Sequence, residues 1–190
     1  MLGQLFTYIK KRLAMFAGDE RGIGAVEFAF VFPILIVLYI CAFELTVAFS
    51  VYKRTTNAAG TIADYVAQQQ NVDKAFLQST THLAAAIFAP YSTRDLKLKI
   101  TGIQVDKSGG AKVRWSWDEA NGRPYAVGSE VSLPSAMLTP DRFFVRAEVE
   151  IPHSMLRFMT TLDKPIQPFT LRNDELYEKR QNEAITCTGC

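Results

Sequence analysis

Histidine, cysteine and tryptophan are scarce in this 190-residue chain, with two, three and two copies respectively. His82 and His153 stand isolated from each other and from the cysteines, so no zinc-ligand spacing can be assembled. Charge of one sign is not in excess either. Against 19 Asp plus Glu there are 21 Lys plus Arg, a net +2, and the basic residues are dispersed. No patch argues for nucleic acid. A Gly-rich phosphate loop, a His-x-x-x-His pair and a Gly-x-Ser-x-Gly elbow are all missing. So are internal repeats and low-complexity tracts. These absences lead to the expectation of no enzymatic activity, no cofactor and no metal.

What the chain does contain is one long apolar run. From Phe28 to Val51 there are 24 residues with a single charged side chain, Glu44. As a helix this piece is about 36 Å long, enough for a hydrocarbon layer of about 30 Å. Phe28 to Phe43 alone gives only about 24 Å, which places Glu44 at the far membrane edge or beside a sheltering partner. Pro33 frees one backbone carbonyl within the span, which membrane helices tolerate with a bend. Lys10, Lys11, Arg12 and Arg21 against Asp19 and Glu20 leave +2 before the span, and Lys53 and Arg54 leave +2 after it. The positive-inside count is therefore nearly balanced. The short leader and the large polar region behind the span place the N-terminus in the cytoplasm and the chain from Tyr52 onward outside. Leu5, Ile9, Leu13 and Phe16 fall on one face of the leader, as either a surface-lying amphipathic helix or an unstructured segment.

The outer region, roughly 135 residues, suffices for one small domain. Thr55 to Gln69 keeps helical composition, continuing the membrane helix as far as Gln70, with a break at Asn71. Val72, Phe76, Leu83 and Ile87 fit one face of a second helix that ends before Pro90. Leu96, Leu98 and Ile100 alternate with polar residues, and the apolar phase then slips to Ile103 and Val105, which predicts a β-bulge or a bend at Thr101-Gly102. Ser108-Gly109-Gly110 predicts a hairpin turn into a strand from Lys112 to Asp118, with Val113, Trp115 and Trp117 on one face. Asn121-Gly122-Arg123-Pro124 is a second turn. A third strand spans Phe143 to Ile151, with Val145, Ala147, Val149 and Ile151 inward and Arg146, Glu148 and Glu150 outward. Leu133 to Pro140 reads as loop, and Met155, Phe158, Met159 and Leu162 as a short apolar helix. The expected class is α+β: a transmembrane helix extending into an outer domain with a second helix and an antiparallel sheet of at least three strands. The expected boundaries are a leader at 1–22, the long helix at 23–70 and the outer domain at 71–190.

Cys187-Thr188-Gly189-Cys190 lacks the following helix that lowers a catalytic thiol pKa, so a disulfide in an oxidising compartment is expected rather than redox catalysis. Cys41 lies in the span as a small apolar residue. Trp115 and Trp117 read as core rather than as a ligand platform. Asp118 and Glu119 lack calcium-loop spacing.

The stretch Gly22, Ile23-Gly24-Ala25-Val26-Glu27-Phe28-Ala29, then Pro33, Glu44-Leu45 and Asn57-Ala58-Ala59, resembles the TadE-like segment. That segment belongs to TadE/TadF-like minor pilins (pseudopilins) of the tight-adherence, or Flp-type, pilus system. The resemblance covers residues 22–67. It implies cleavage between Gly22 and Ile23 by prepilin peptidase, a bacterial inner-membrane aspartyl protease. It also implies assembly with other pilins and minor pilins and with the inner-membrane pilus assembly platform. Phe28 stands where the family accepts an aromatic after Glu27. After such a cut Glu27 becomes residue five of the mature chain, and its carboxylate can pair with an Ile23 α-ammonium inside a helical filament, offsetting the burial of both charges. The plainer reading of Glu27 is an interfacial carboxylate. The implied location is the bacterial inner membrane in a single pass, with an outer periplasmic domain of pilin-like outline and, at a later stage, an extracellular pilus.

Two other readings compete. One is a signal-anchored periplasmic enzyme, against which stands the missing nucleophile–base pair. The other is an exported domain cut after Ser50, since Ala48-Phe49-Ser50 is a small-x-small site, although its apolar run exceeds an ordinary signal.

Overall fold

The computed structural model describes residues 22–154, 168–180 and 184–190. The leader and the short helix expected around Met155 to Leu162 lie outside the described residues. The chain divides between Leu45 and Thr46 into two units, each described by itself.

Helix α1, Ile23–Ala67, is 45 residues long and runs through Pro33 without ending. It stops three residues before the expected end at Gln70. Within the first unit its apolar side chains face outward along the whole length, including Phe30 (74% exposed) and Tyr39 (73%). A helix with no polar face cannot be stabilised in water by burying one side. Among the described residues, α1 is the one helix long and apolar enough to cross a membrane, and it fits a membrane anchor.

In the second unit the same helix changes character. Val51, Thr55, Ala58, Ala59, Ile62, Ala63 and Val66 are buried. They recur at three- and four-residue steps and form one stripe. The alanines let the helix lie close to its support, and Thr55 ties its hydroxyl to the Val51 carbonyl at 3.0 Å.

Strand β1 (Asn71–Asp73) follows, then helix α2 (Lys74–Phe88). Asp73 caps α2, its carboxylate accepting from the Phe76 N–H at 2.7 Å. The buried line of α2 is Leu77, Thr80, Ala84 and Phe88. The expected face is thus rotated: Phe76, Leu83 and Ile87 flank that line, and Val72 belongs to β1. Pro90 bars continuation of α2.

Strands β2 (Lys97–Val105), β3 (Ala111–Asp118), β4 (Phe143–His153) and β5 (Phe169–Glu178) form an antiparallel sheet in the order β3-β2-β4-β5. A short turn of 3-10 helix, Ser135–Met137, interrupts the β3–β4 connection. Strand β6 (Thr186–Thr188) pairs in parallel with β1, and Trp115 donates its indole N–H to the Ile185 carbonyl at 2.8 Å. Among the described residues, the α+β class with a long helix, a second helix and an antiparallel sheet is as expected, with four strands in the sheet.

The phase slip in β2 has a different cause from the one expected. Strand β2 pairs with β4 without interruption from Lys97 to Gln104. It stays regular because both faces of the sheet are covered. Leu98 and Ile100 join a core with α1, α2, Trp115, Trp117 and Val145. Ile103 and Val105 face the other way, into a smaller core with Ala111, Leu133 and Phe144. The bulge sits in β3. Gly102 pairs with Trp115 and Ile103 with Val113, leaving Arg114 as the extra residue. Val113 and the two tryptophans are therefore on opposite faces, not on one.

Candidate functional site

The residues singled out by sequence are distributed over the chain. Gly22 precedes the first residue of α1 and is exposed. A methyl group built on Gly22 or Gly24 would meet nothing within 4 Å. Glu27, one turn into the helix, is exposed in an otherwise apolar surface. Phe28 rests its ring 5.2 Å from that of Phe32, the next residue on its face. Glu44 is half-buried. It lies 17 residues beyond Glu27, about 26 Å along the axis, so the two carboxylates do not form one site. Cys41 is a free, exposed thiol in the same apolar stretch.

In the second unit Cys187 and Cys190 are joined as a disulfide with Cα atoms 5.7 Å apart. Both pack against the larger core. The pairing of β6 with β1 holds this chain end: Val72 aligns with Cys187, and Thr186 and Asn71 hydrogen-bond through their side chains. Lys179, only 5% exposed, donates from Nζ to the Gln69 carbonyl at 2.9 Å, just past the end of α1. A polar cleft of about 220 Å³ beside it is lined by residues that include Asp64, Gln68, Glu178 and Arg180.

Two clusters escaped sequence reasoning. Glu148, expected to point to solvent, is 2% exposed because the segment after β3 covers that face. Arg146 Nε and Arg172 Nη2 reach its carboxylate at 3.0 and 2.8 Å, and the Tyr125 hydroxyl donates to both its oxygens. Arg146 also lies over the Tyr125 ring at 5.1 Å. Burial, and then Glu148, push the Tyr125 phenol above its usual pKa. Burial opposes the Arg172 charge, but Glu148 and Glu150 outweigh it and raise its pKa. All charges here have partners, which is the arrangement of a structural cluster rather than of a reactive group. Alternation alone signals a polar outer face in β4; only the cover from a distant loop makes it an inner one.

The second cluster fastens the α2–β2 loop to α1. Arg54 donates to the Ile87 carbonyl at 2.6 Å and lies 5.4 Å above the Tyr91 ring. Tyr91 donates its hydroxyl to Ser50 Oγ at 3.2 Å. Nothing in local periodicity links positions 41 residues apart.

Among the described residues, no group of three or more His, Cys, Asp or Glu side chains is placed to hold a metal ion.

Residues 22–64 match the family model described as TadE-like protein. The match begins at Gly22 and takes in Glu27, Pro33, Glu44 and Asn57-Ala58-Ala59, and it supports a TadE-like protein of the Tad pilus system. No curated protein and no solved structure matches the chain. The TadE-like segment and the apolar helix together mark a pilus-related, membrane-associated protein.

Proposed function

We propose that this chain is a minor pilin or pseudopilin needed to assemble a Tad/Flp-type pilus, acting through protein–protein contacts rather than catalysis. The observation that carries this reading is the TadE-like match over residues 22–64, which sets Gly22 and Glu27 directly ahead of the outward-facing apolar surface that runs on from Phe28.

Prepilin peptidase then cuts between Gly22 and Ile23. Gly22 suits the bond before the cut because it offers no side chain to a membrane-embedded protease. The freed Ile23 ammonium and the Glu27 carboxylate, its own or a neighbour's, neutralise each other when α1 enters a bundle of similar helices. Glu27 is costly facing lipid and far less so when paired. The outer domain stands in the periplasm and meets other pilins or the inner-membrane assembly platform.

Mass spectrometry of the membrane-extracted protein tests this. A mature N-terminus at Ile23, abolished by Gly22→Leu, is the expected result. An intact Met1 reduces the chain to a simple anchor. A start at Val51 makes it an exported domain and removes the pilin reading.

A further inference from the structure

We propose that residues 49–54 of α1 and the loop at 89–94 form a collar that sits in the headgroup layer of the bilayer and binds anionic phospholipids. This rests on the membrane-anchor reading of α1. A hydrocarbon layer of about 30 Å takes about 20 helical residues. Counted from Phe28, the first residue after the Glu27 carboxylate, it ends near Val47. The next turn and a half of helix then lies among the headgroups.

The residues at that level suit such a layer. Phe49 (68% exposed) and Tyr52 (44%) are aromatic and face outward. Lys53 is exposed beside them. At about 100° per residue these three point away from Ser50 and Arg54, which hold the loop on the remaining side. Tyr91 is pinned there by Ser50 and Arg54, which leaves Pro90, Ser92 and Arg94 exposed. Aromatics and cations thus ring the helix at one height. Aromatic rings favour the membrane interface, and long basic side chains reach phosphate oxygens from it. Within residues 49–54 and 89–95 Lys53, Arg54 and Arg94 stand against a single acidic residue, Asp95, and a net-basic collar complements an anionic leaflet.

The test uses the full chain in vesicles of phosphatidylcholine, with or without phosphatidylglycerol. A fluorophore is placed on Ser92→Cys, Lys107→Cys or Tyr39→Cys, each with Cys41→Ala and with the Cys187–Cys190 disulfide left oxidised. Lys107 is the control. It follows the far end of the nine-residue strand β2, about 30 Å along that strand from the loop. Headgroup-nitroxide lipid should quench the Ser92 label about twofold or more over the Lys107 label, and phosphatidylglycerol should strengthen this. Lys53→Glu with Arg94→Glu should remove the phosphatidylglycerol dependence. Chain-level nitroxide lipid should quench Tyr39. If Tyr39 is quenched and Ser92 behaves like Lys107, the collar is overturned while the anchor stands. Quenching of Ser92 that ignores both phosphatidylglycerol and the charge reversals overturns the anionic-lipid assignment. If Tyr39 is not quenched, the anchor and the collar fall together.

Discussion

The Tyr125 hydroxyl bridges both carboxylate oxygens of Glu148, at 2.8 and 2.9 Å, and so closes the lid on a charge that β4 carries into the sheet. Tyr125 is brought there by the segment after β3. Its backbone N–H donates to Ser116 Oγ at 3.1 Å, and Ser116 Oγ in turn donates to the Tyr125 carbonyl at 2.8 Å. Glu148 accepts a hydrogen bond from Arg172 Nη2 and is ion-paired with Arg146. Buried charges persist in proteins when each is paired and hydrogen-bonded, and removing one partner exposes the cost of the rest.

Glu148→Ala should therefore destabilise the second unit more than Tyr125→Phe. Loss of the carboxylate strands Arg146, at a cost of about 3 kcal/mol. Loss of the hydroxyl removes a hydrogen bond to a charged group, about 1.5–3 kcal/mol. Urea unfolding followed by Trp115 and Trp117 fluorescence measures both. The Tyr125 pKa is raised by burial and by Glu148, so its neutral form is favoured in the folded state. That contribution is complete below the ordinary tyrosine value of 10.0 and is lost as pH rises through the higher folded value. Wild-type protein should lose stability above about pH 10 more steeply than Tyr125→Phe. Equal slopes would remove the lid argument.

Asp106 gives the opposite sign at the acid end. Its carboxylate accepts from the Ser108 hydroxyl at 2.6 Å and from the Ser108 and Gly110 N–H groups at 3.0 and 2.8 Å, and it pairs with Lys112 at 3.2 Å. The Ser108 hydroxyl, then Gly110, then Lys112 hold its pKa well below the usual 3.8. The hairpin contribution is present above that usual value and is lost as pH falls through the lower folded value. Asp106→Asn should flatten the fall in stability below about pH 4. Acid titrations of the two proteins followed by circular dichroism would show it; parallel curves would mean the turn holds without the charge.

Gly102, where the sequence predicts a strand irregularity, is a packing residue. It lies in mid-strand opposite Trp115. A methyl group there would overlap the Trp115 ring and come within 2.8 Å of Phe143 Cζ. Gly102→Ala should cost about 1–3 kcal/mol by overpacking, despite its better strand propensity. Thermal unfolding against Gly110→Ala gives the comparison. The nearest atom to a Gly110 methyl is an Asp106 side-chain oxygen at 3.1 Å, so the milder loss is expected there.

The parts of this fold that the sequence revealed are those whose neighbours do not matter. The helical run that continues from Thr55, the Ser108-Gly109-Gly110 turn and the alternation of Val145 to Ile151 are local patterns. Strand β5 was invisible because Phe169–Glu178 is an edge strand, exposed or half-buried throughout, with Arg172, Asp174, Glu175 and Glu178 in it. Such charges keep an edge soluble and erase the apolar period. The double coverage of the sheet was equally hidden, since the pattern Leu98, Ile100, Ile103, Val105 records two cores and not which element covers each. The TadE-like segment was legible because it is short, contiguous and constrained by the membrane. The collar at Arg54 and Tyr91 was not, because its partners meet only after α2 turns back.

The Cys187–Cys190 disulfide closes a ring of four residues. In the chain-entropy account a ring that small contributes about 2 kcal/mol, less than the ~3 kcal/mol of a 15-residue loop. Its effect should be local, because β6 is three residues long and its strand pairing is with the three-residue β1. Cys187→Ser with Cys190→Ser should lower global stability by about 2 kcal/mol or less. Amide exchange should rise chiefly in residues 71–73 and 185–188, with β2 and β4 unchanged. Hydrogen exchange read by mass spectrometry separates these segments. A rise spread over the whole sheet would mean that the chain end, through Ile185 and its bond to Trp115, is part of the main cooperative unit and not an appendage to it.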